Sequence, residues 1–394
     1  MASRMKTLLV MGATLGRLPK ADLRRLEDAG ERPRTLLLED ELSADVLDAT
    51  HFAHLPRLLK LLYRRLPGWL AQTLEALRLR RRYDVVVTWD DRIALLYAFL
   101  LGLIRSRSRH VAIVSWMGPA KKGSMLRRVQ KHVDRVVVWT RFHRDMLAEL
   151  YGIAFQRLAL VPYWVDERFF APAAIEQDMI CAVGDSKRDY RTLLDALADQ
   201  PTPCRIVTQA TRQQDAVGDW GVTGQVLGNA SSSLENVIIG AASPSELRDV
   251  YARSRFVVVP LFPSLRDHGI TSVFEAMAMG KAVICTQTDG LTGMVEDGVT
   301  GILVPPGNPD ALRAAIQRLW EQPELAQRLG MAGRKHVEAY NRLDLFVAAV
   351  RQAVADVAPH GRQASGAGES AIIQGALRGS ATDQPLMSAP TRAN

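Results

Sequence analysis

The chain of 394 residues contains only three cysteines, Cys181, Cys204 and Cys285, widely spaced and in apolar or ordinary contexts. Neither a disulfide framework nor a zinc knuckle is built that way, and a reducing compartment, the cytoplasm, is the expected location. Long apolar runs are lacking as well. Ile93–Ile104 is the longest, at about 12 residues where a transmembrane helix needs about 20, so it reads as a buried helix. The N-terminus starts basic, but its apolar part is short and broken by glycine, unlike a signal peptide. Aromatic residues make up 6% of the chain and do not interleave with the basic ones, so stacking platforms for nucleic acid are not expected. HExxH and GxSxG are absent, and the Gly280–Val283 stretch lacks the glycine spacing and the hydroxyl residue of a phosphate-binding P-loop. His51 and His54 lie three apart with no third ligand nearby, so no metal site is expected.

What is present is a basic first half and a long series of buried-strand patterns. Through residue 160 there are 29 Lys and Arg against 16 Asp and Glu; beyond it the balance is 21 against 26. A basic surface can attract anionic lipid, nucleic acid or a phosphorylated substrate, or can simply be solvated. Apolar runs at Thr7–Met11, Thr35–Leu38, Val85–Trp89, Val111–Ser115 and Val136–Trp139 alternate with helical patterns such as Leu18–Glu27 and Phe142–Tyr151. Runs without polar alternation suit strands covered on both faces, hence a parallel α/β sheet. Val161–Pro172, with its two prolines, marks a junction. A second series follows at Met179–Val183, Arg205–Thr208, Val237–Ile239, Phe256–Val259, Ala282–Cys285 and Ile302–Val304. Ser243, Pro244 and Glu246 form a capping-box start, and Asn308-Pro309-Asp310 starts another helix. The expected partition is 1–165, a linker 166–177, 178–340, a helix 341–357, and a disordered tail 358–394 rich in Gly, Ala, Ser, Gln and Thr.

His51–Arg82 is rich in leucine and arginine and is split by Pro67-Gly68 into two amphipathic helices. Two packing helices with solvated arginines would look this way. So would a contact with an anionic membrane surface, with Leu58, Leu62, Leu66 and Trp69 entering the headgroup boundary.

Chemistry concentrates in Phe262–Gly307, where Asp267 and Glu275 stand eight positions apart across a loop-to-helix boundary. A strand, a glycine-containing loop and a helix start form the usual ligand edge of an open α/β sheet. Spacing alone also allows a plainer role, in which Ser272 and Glu275 complete a capping box. Gly12–Gly16 (GATLG) follows the first strand without the third glycine of a dinucleotide fingerprint; Gly12 would let the backbone approach a ligand or simply turn.

The run EAMAMGKAVICT from Glu275, followed by EDGVTGILVPPGNPDAL from Glu296, resembles the signature of family-4 retaining glycosyltransferases of the GT-B fold. The likeness is strong from Ser243 to Asn341, weaker from Val133 to Phe170 and faint in the first hundred residues. It implies two Rossmann-like parallel-sheet domains facing across a cleft, with the acceptor on the N-terminal domain and a nucleotide sugar, UDP- or GDP-linked, on the C-terminal one. Carried over residue by residue, Glu275 would hold the nucleotide ribose and Asp267 would orient the transferred sugar. His268, Gly269, Ile270 and Thr271 would line the donor and its diphosphate, with Gly184 and Gly12 beside them. Lys187 and Arg188, in the loop VGDSKRDYRTLLDA, would neutralise the departing diphosphate. Asp267 departs from the commoner glutamate, Asp185 stands where an arginine is frequent, and Met117 stands near the place of a histidine. Asp90, Asp91, Trp116 and Gly118 are the acceptor-side candidates.

The resemblance implies a hexosyl transfer to a hydroxyl acceptor with no cofactor or metal required; a lipid or lipid-linked glycan at the cytoplasmic membrane face and a soluble metabolite are both open as acceptors, and the basic first half favours the membrane. Two other readings of the same fold stay open: a sugar-nucleotide epimerase, and a catalytically silent sugar-nucleotide-binding protein. Oligomeric state is not legible.

Overall fold

The computed structural model describes residues 5–118, 120–209 and 234–357. Its framework is two six-stranded sheets, parallel throughout. β1 (Thr7–Met11), β2 (Asp45–Val46), β3 (Val85–Trp89), β4 (Arg109–Ile113), β5 (Arg135–Val138) and β6 (Leu158–Leu160) form the first, in the order β2-β1-β3-β4-β5-β6. Val10, Thr88, Ala112, Val136 and Leu158 make one row across five of its strands. The second sheet comprises β7 (Met179–Val183), β8 (Cys204–Val207), β9 (Val237–Gly240), β10 (Ser254–Val259), β11 (Ala282–Thr286) and β12 (Gly301–Val304), ordered β12-β11-β10-β7-β8-β9.

Each sheet is covered on both faces, which is why its strands are apolar at nearly every position. On one face of the first sheet, Leu8, Val10 and Val86 pack against Ala76, Leu79, Ile93, Tyr97 and Leu101 from the helices Gly68–Leu79 and Asp91–Leu103. On the other face lie Leu9, Val87, Val111, Ile113 and Val137. Most of the side chains covering them come from the last described helix, Leu343–Ala355, through Phe346, Val347, Val350 and Val354, with Leu38 and Leu42 beside them. That helix therefore belongs to the first domain's core although the chain reaches it only after finishing the second sheet.

The two crossings between domains run together. Val165 and Arg342 form a parallel bridge, with the Val165 N–H bonded to the Asn341 carbonyl at 2.9 Å and the Leu343 N–H to the Val165 carbonyl at 3.0 Å. Segment 166–177, read above as a linker, is anchored at its start, since Asp166, Phe169 and Phe170 are buried.

One expected strand is replaced. Thr35–Leu38 leads into a helix, Leu37–Leu42, and the strand beside β1 is Asp45–Val46. Leu38 and Leu42, four apart, face the core, and Glu39 between them is buried against Arg17. Three leucines in a row carry no period, so a buried helical turn and a buried strand read alike. The two helix starts form as expected: Ser243 and Glu246 bond reciprocally, and the Asn308 side chain accepts from the Ala311 N–H at 2.9 Å. The expected tail lies outside the described residues.

Phe346 is buried and stacks on Trp164, with centroids 3.9 Å apart. Truncating it opens a cavity at the contact between the last helix and the first sheet. Phe346→Ala is expected to cost about 3–5 kcal/mol, read as a lower urea midpoint monitored by tryptophan fluorescence.

Candidate functional site

The carboxyl ends of both sheets face one another, and the residues singled out at sequence level fall on the two lips between them. On the second domain, β10 runs into a loop that ends at Gly269, and the helix Ile270–Ala278 begins there. Gly269 takes φ +93°, and a Cβ on it would lie 3.0 Å from a Val259 methyl and 3.1 Å from a Leu261 methyl. Only glycine fits both that conformation and that space. Thr271 and Glu275, four apart, share one face of the helix. Ser272 points the other way: its hydroxyl donates to the Val183 carbonyl at 3.1 Å and accepts from Arg188 Nη2 at 3.0 Å. Since Gly269 is the N-cap and Ser272 is engaged with Arg188, Ser272 and Glu275 form no capping box.

Glu275 accepts a hydrogen bond from the Tyr251 hydroxyl at 2.9 Å. Burial pushes its carboxyl up to about 7, against the opposing pull of that bond and of the Arg188 charge. Asp267 is also raised by burial; the bond it accepts from the Trp139 indole N–H offsets part of the shift, and the charge of Asp91 adds to it. Trp139 and Asp91 belong to the first domain, so Asp267 is set by groups across the cleft. A second crossing bond joins the Tyr163 hydroxyl to the Thr271 hydroxyl at 2.6 Å.

The loop after β7 carries the basic pair. Gly184 has φ +118° and Lys187 φ +56°. A side chain at Gly184 would collide with the Arg188 guanidinium, which is buried and bonded to the Val183 carbonyl at 2.8 Å and the Ser186 carbonyl at 3.0 Å as well as to Ser272. Arg188 thus ties the end of β7 to the first turn of the helix Ile270–Ala278. His268 meets the Ser186 hydroxyl at 3.1 Å, linking the two loops. Asp185, at the position where the resemblance leads one to look for arginine, accepts from the Thr208 hydroxyl and from the Gln209 N–H at 2.7 Å.

On the first domain, Gly12 brings the backbone against Asp90: a Cβ there would stand 2.8 Å from Asp90 Oδ2. Asp90 is the N-cap of the helix Asp91–Leu103, accepting from the Arg92 and Ile93 N–H groups. Asp91 accepts from the Ser115 N–H at 3.0 Å and from Lys122 Nζ at 2.7 Å. Trp116 stacks on Phe142 with an interplanar angle of 7° and leaves no room for a side chain on Gly118.

Sequence reading did not single out His143, which packs against Trp116 and accepts the Met117 N–H through Nε2 at 3.1 Å. Burial, with Arg266 nearby, lowers its pKa to about 4, so the ring is neutral with its proton on Nδ1. The available signal was Thr140, which caps the helix three residues before it. It marks a helix start and says nothing of a cleft. Behind these lips, a cavity of about 440 Å³ runs between the domains, bordered by Glu275, Thr271, Tyr163, Trp164, Arg17 and Arg34.

Residues 233–336 match the family model described as glycosyl transferases group 1. A D-inositol 3-phosphate glycosyltransferase of Nocardiopsis dassonvillei is 25% identical over 227 residues, 52% of each chain. The chain spans about half the length of that relative. Among solved structures, sucrose-phosphate synthase from Thermosynechococcus elongatus aligns with a TM-score of 0.65 at 19% identity, over 88% of this chain and 98% of that one. The Anabaena protein HepE, solved with UDP and glucose, aligns with a TM-score of 0.63 at 16% identity, over 89% and 98%. The fold is GT-B, two facing α/β domains of the Rossmann type, and the matched segment covers the whole of the Glu275 lip.

The raised Glu275 pKa has a signed consequence. An unfolded glutamate titrates near pH 4.3, so between there and about 7 the folded state holds a proton that the unfolded chain has released. Stability contributed by this group therefore falls as pH rises through that window. Glu275→Gln should flatten the decline, so the difference in Tm between variant and wild type grows from pH 4.5 to pH 8 in the absence of ligand.

Proposed function

We propose that the protein is a retaining glycosyltransferase that moves a sugar from a nucleotide-sugar donor to a hydroxyl acceptor. The observation that carries this reading is the pair Asp267 and Glu275, both raised by burial, with Asp267 just before the helix and bonded to Trp139 of the first domain and Glu275 within the helix on the border of the interdomain cavity. An ionised carboxylate accepts hydrogen bonds, and a carboxyl that keeps its proton, as Glu275 does below about pH 7, also donates one; hydroxyls meet both forms, so the ligand suited to this lip brings hydroxyls. Glu275 takes the ribose diol and Asp267 a hydroxyl of the sugar. The Thr271 N–H in the first helical turn meets the diphosphate, while the Ile270 N–H is held on the Asp267 carbonyl at 3.2 Å. Arg188 shapes that turn from behind and adds its positive field, and Lys187 stands next to it on the same loop. In this reading charge neutralisation rests on that loop and the helix start: the bond from the anomeric carbon to the diphosphate oxygen breaks, the acceptor oxygen bonds that carbon on the same face, which retains configuration, and the departing diphosphate takes the acceptor's proton. The Anabaena neighbour's UDP and glucose make UDP-hexoses the first donors to try.

The acceptor is proposed to lie at a membrane surface on the cytoplasmic side. The helix Arg57–Tyr63 leaves Leu58 83%, Leu61 54% and Leu62 55% exposed. Arg57, Lys60, Arg64 and Arg65 stand among them, with no acidic residue between Pro56 and Glu75. Apolar side chains beneath a basic rim suit an anionic bilayer surface. Two residues expected in that surface pack inward instead: Leu66 joins the small core around Tyr63 and Ala71, and Trp69 joins the core beneath β3, with Arg92 over its ring.

A thermal-shift screen of nucleotide sugars should find a stabilising donor whose shift Glu275→Ala removes. With that donor, Asp267→Asn should lower kcat by about 10²-fold while leaving the unliganded Tm within a few degrees of wild type. Formation of an epimeric nucleotide sugar with no acceptor present would replace transfer by epimerisation. For the membrane seat, the protein should float with anionic vesicles at low salt, and Leu58→Ser/Leu61→Ser/Leu62→Ser should abolish flotation. No flotation of the wild type removes that part of the proposal.

A further inference from the structure

At the far end of the first domain from the cleft lies a second concavity. Tyr83 and Asp84 enter β3 there and Arg109 opens β4, so it sits at the amino ends of strands whose carboxyl ends carry Asp90 and Asp91. The five residues of β3 separate the two ends by about 16 Å. The concavity has a volume of about 460 Å³ and is lined by Arg80, Arg81, Arg105, Arg107 and Arg109. Asp84 is the acidic residue among its lining, and its carboxylate already accepts the Lys6 N–H at 2.8 Å. Arg109 is shared with Asp134 at 3.0 Å. Among the described residues, the guanidinium groups of Arg81, Arg105 and Arg107 have no ion pair, and Arg80 Nε is buried without a hydrogen-bond partner.

The backbone adds an independent observation. The helix Asp91–Leu103 ends in a Schellman turn, with the Ser106 N–H on the Leu101 carbonyl at 2.9 Å and the Arg105 N–H on the Gly102 carbonyl at 3.2 Å. The residue after the cap is Arg105, at φ +50°. Glycine holds this place without strain and a β-carbon does not. A strained position that keeps an arginine beside four others indicates a use for that guanidinium. An ordinary helix-end role accounts for Arg80, whose Nη1 donates to the Leu77 carbonyl at 2.6 Å, and for the solvated Arg81; it does not account for the left-handed Arg105.

We infer that this arginine-lined concavity is a binding site for a phosphorylated anion, separate from the interdomain cleft. Planar guanidinium groups offer paired donors to phosphate oxygens, and several converging on one space suit a group of two or more negative charges. A free pyrophosphate or phosphate ester and the headgroup of an anionic lipid present the same chemistry.

The test uses the full chain and the variant Arg105→Gly/Arg107→Gln, in which glycine relieves the left-handed residue. The unliganded Tm is expected to equal or exceed that of wild type, so lost binding is not lost folding. Calorimetric titration with inorganic pyrophosphate at low salt should show a site in the wild type that weakens at least tenfold in the variant, while pyrophosphate heat from the cleft persists in both. A lipid source would appear differently. In the Leu58→Ser/Leu61→Ser/Leu62→Ser background, which no longer floats with vesicles, a short-chain phosphatidate dispersed as monomers should bind by calorimetry, and adding the two arginine substitutions should abolish that binding. If neither pyrophosphate nor phosphatidate binding responds to Arg105→Gly/Arg107→Gln, the inference is overturned.

Discussion

The carboxylate of Asp166 holds the two domains in register. It accepts the Arg34 backbone N–H at 2.7 Å and the Arg34 guanidinium at 2.7 and 2.9 Å, and Arg34 reaches on to Asp344 at 3.1 Å. Arg34 lies in the first domain, Asp166 where the chain first leaves it, and Asp344 where the chain returns. One guanidinium therefore pins both crossings. A buried carboxylate is tolerable only when its oxygens are filled, and here four donors fill them, three from Arg34 and the Arg168 N–H at 3.3 Å. The residues just before it, Tyr163 and Trp164, reach Thr271 and Phe346 respectively. The crossing at Val165 and the lip that carries Glu275 are thus joined through one short segment, and a change in crossing angle would register at the helix Ile270–Ala278.

That coupling explains the electrostatics of the cleft. Asp267 and Glu275 are both shifted toward the neutral form because the opposite domain and the surrounding core strip them of water. Trp139 returns one hydrogen bond to Asp267 and Tyr251 one to Glu275, leaving acceptor capacity unused on each. His143 is kept neutral beside Arg266, so the first domain's lip offers an imidazole and no second cation at that point. The arrangement suits hydroxyl-bearing ligands on one lip and anionic oxygens at the adjoining helix start.

Much of this was legible in the chain alone, wherever one residue pattern has one physical meaning. Continuous valine and isoleucine runs marked the strands, and Ser243 with Glu246 and Asn308 with Pro309 marked helix starts. Legibility failed where the deciding partner is remote in sequence. Thr35–Leu38 has no period of its own, and only the sheet behind Leu38 and Leu42 makes it a helix. Ser272 and Glu275 have capping-box spacing, but Ser272 is claimed by Arg188 from 84 residues away. Arg188 was recognisable as a basic residue in the right loop, whereas its burial depends on Gly184 and on the helix it holds. His143 became visible only when β5 and its following helix placed it under Met117.

The last helix carries a further consequence for how the protein comes into being. Its Phe346, Val350 and Val354 close the face formed by Leu9, Val87, Val111 and Val137, so the first sheet emerges during synthesis with one apolar side covered only by Leu38 and Leu42. Domains ordinarily complete themselves in the order in which they are made. Here the second sheet can close its own two cores, while the earlier one waits through the synthesis of everything between Leu160 and Leu343. During that interval the nascent chain presents a strip of valine and leucine that chaperones, or neighbouring chains, would find before its own last helix does.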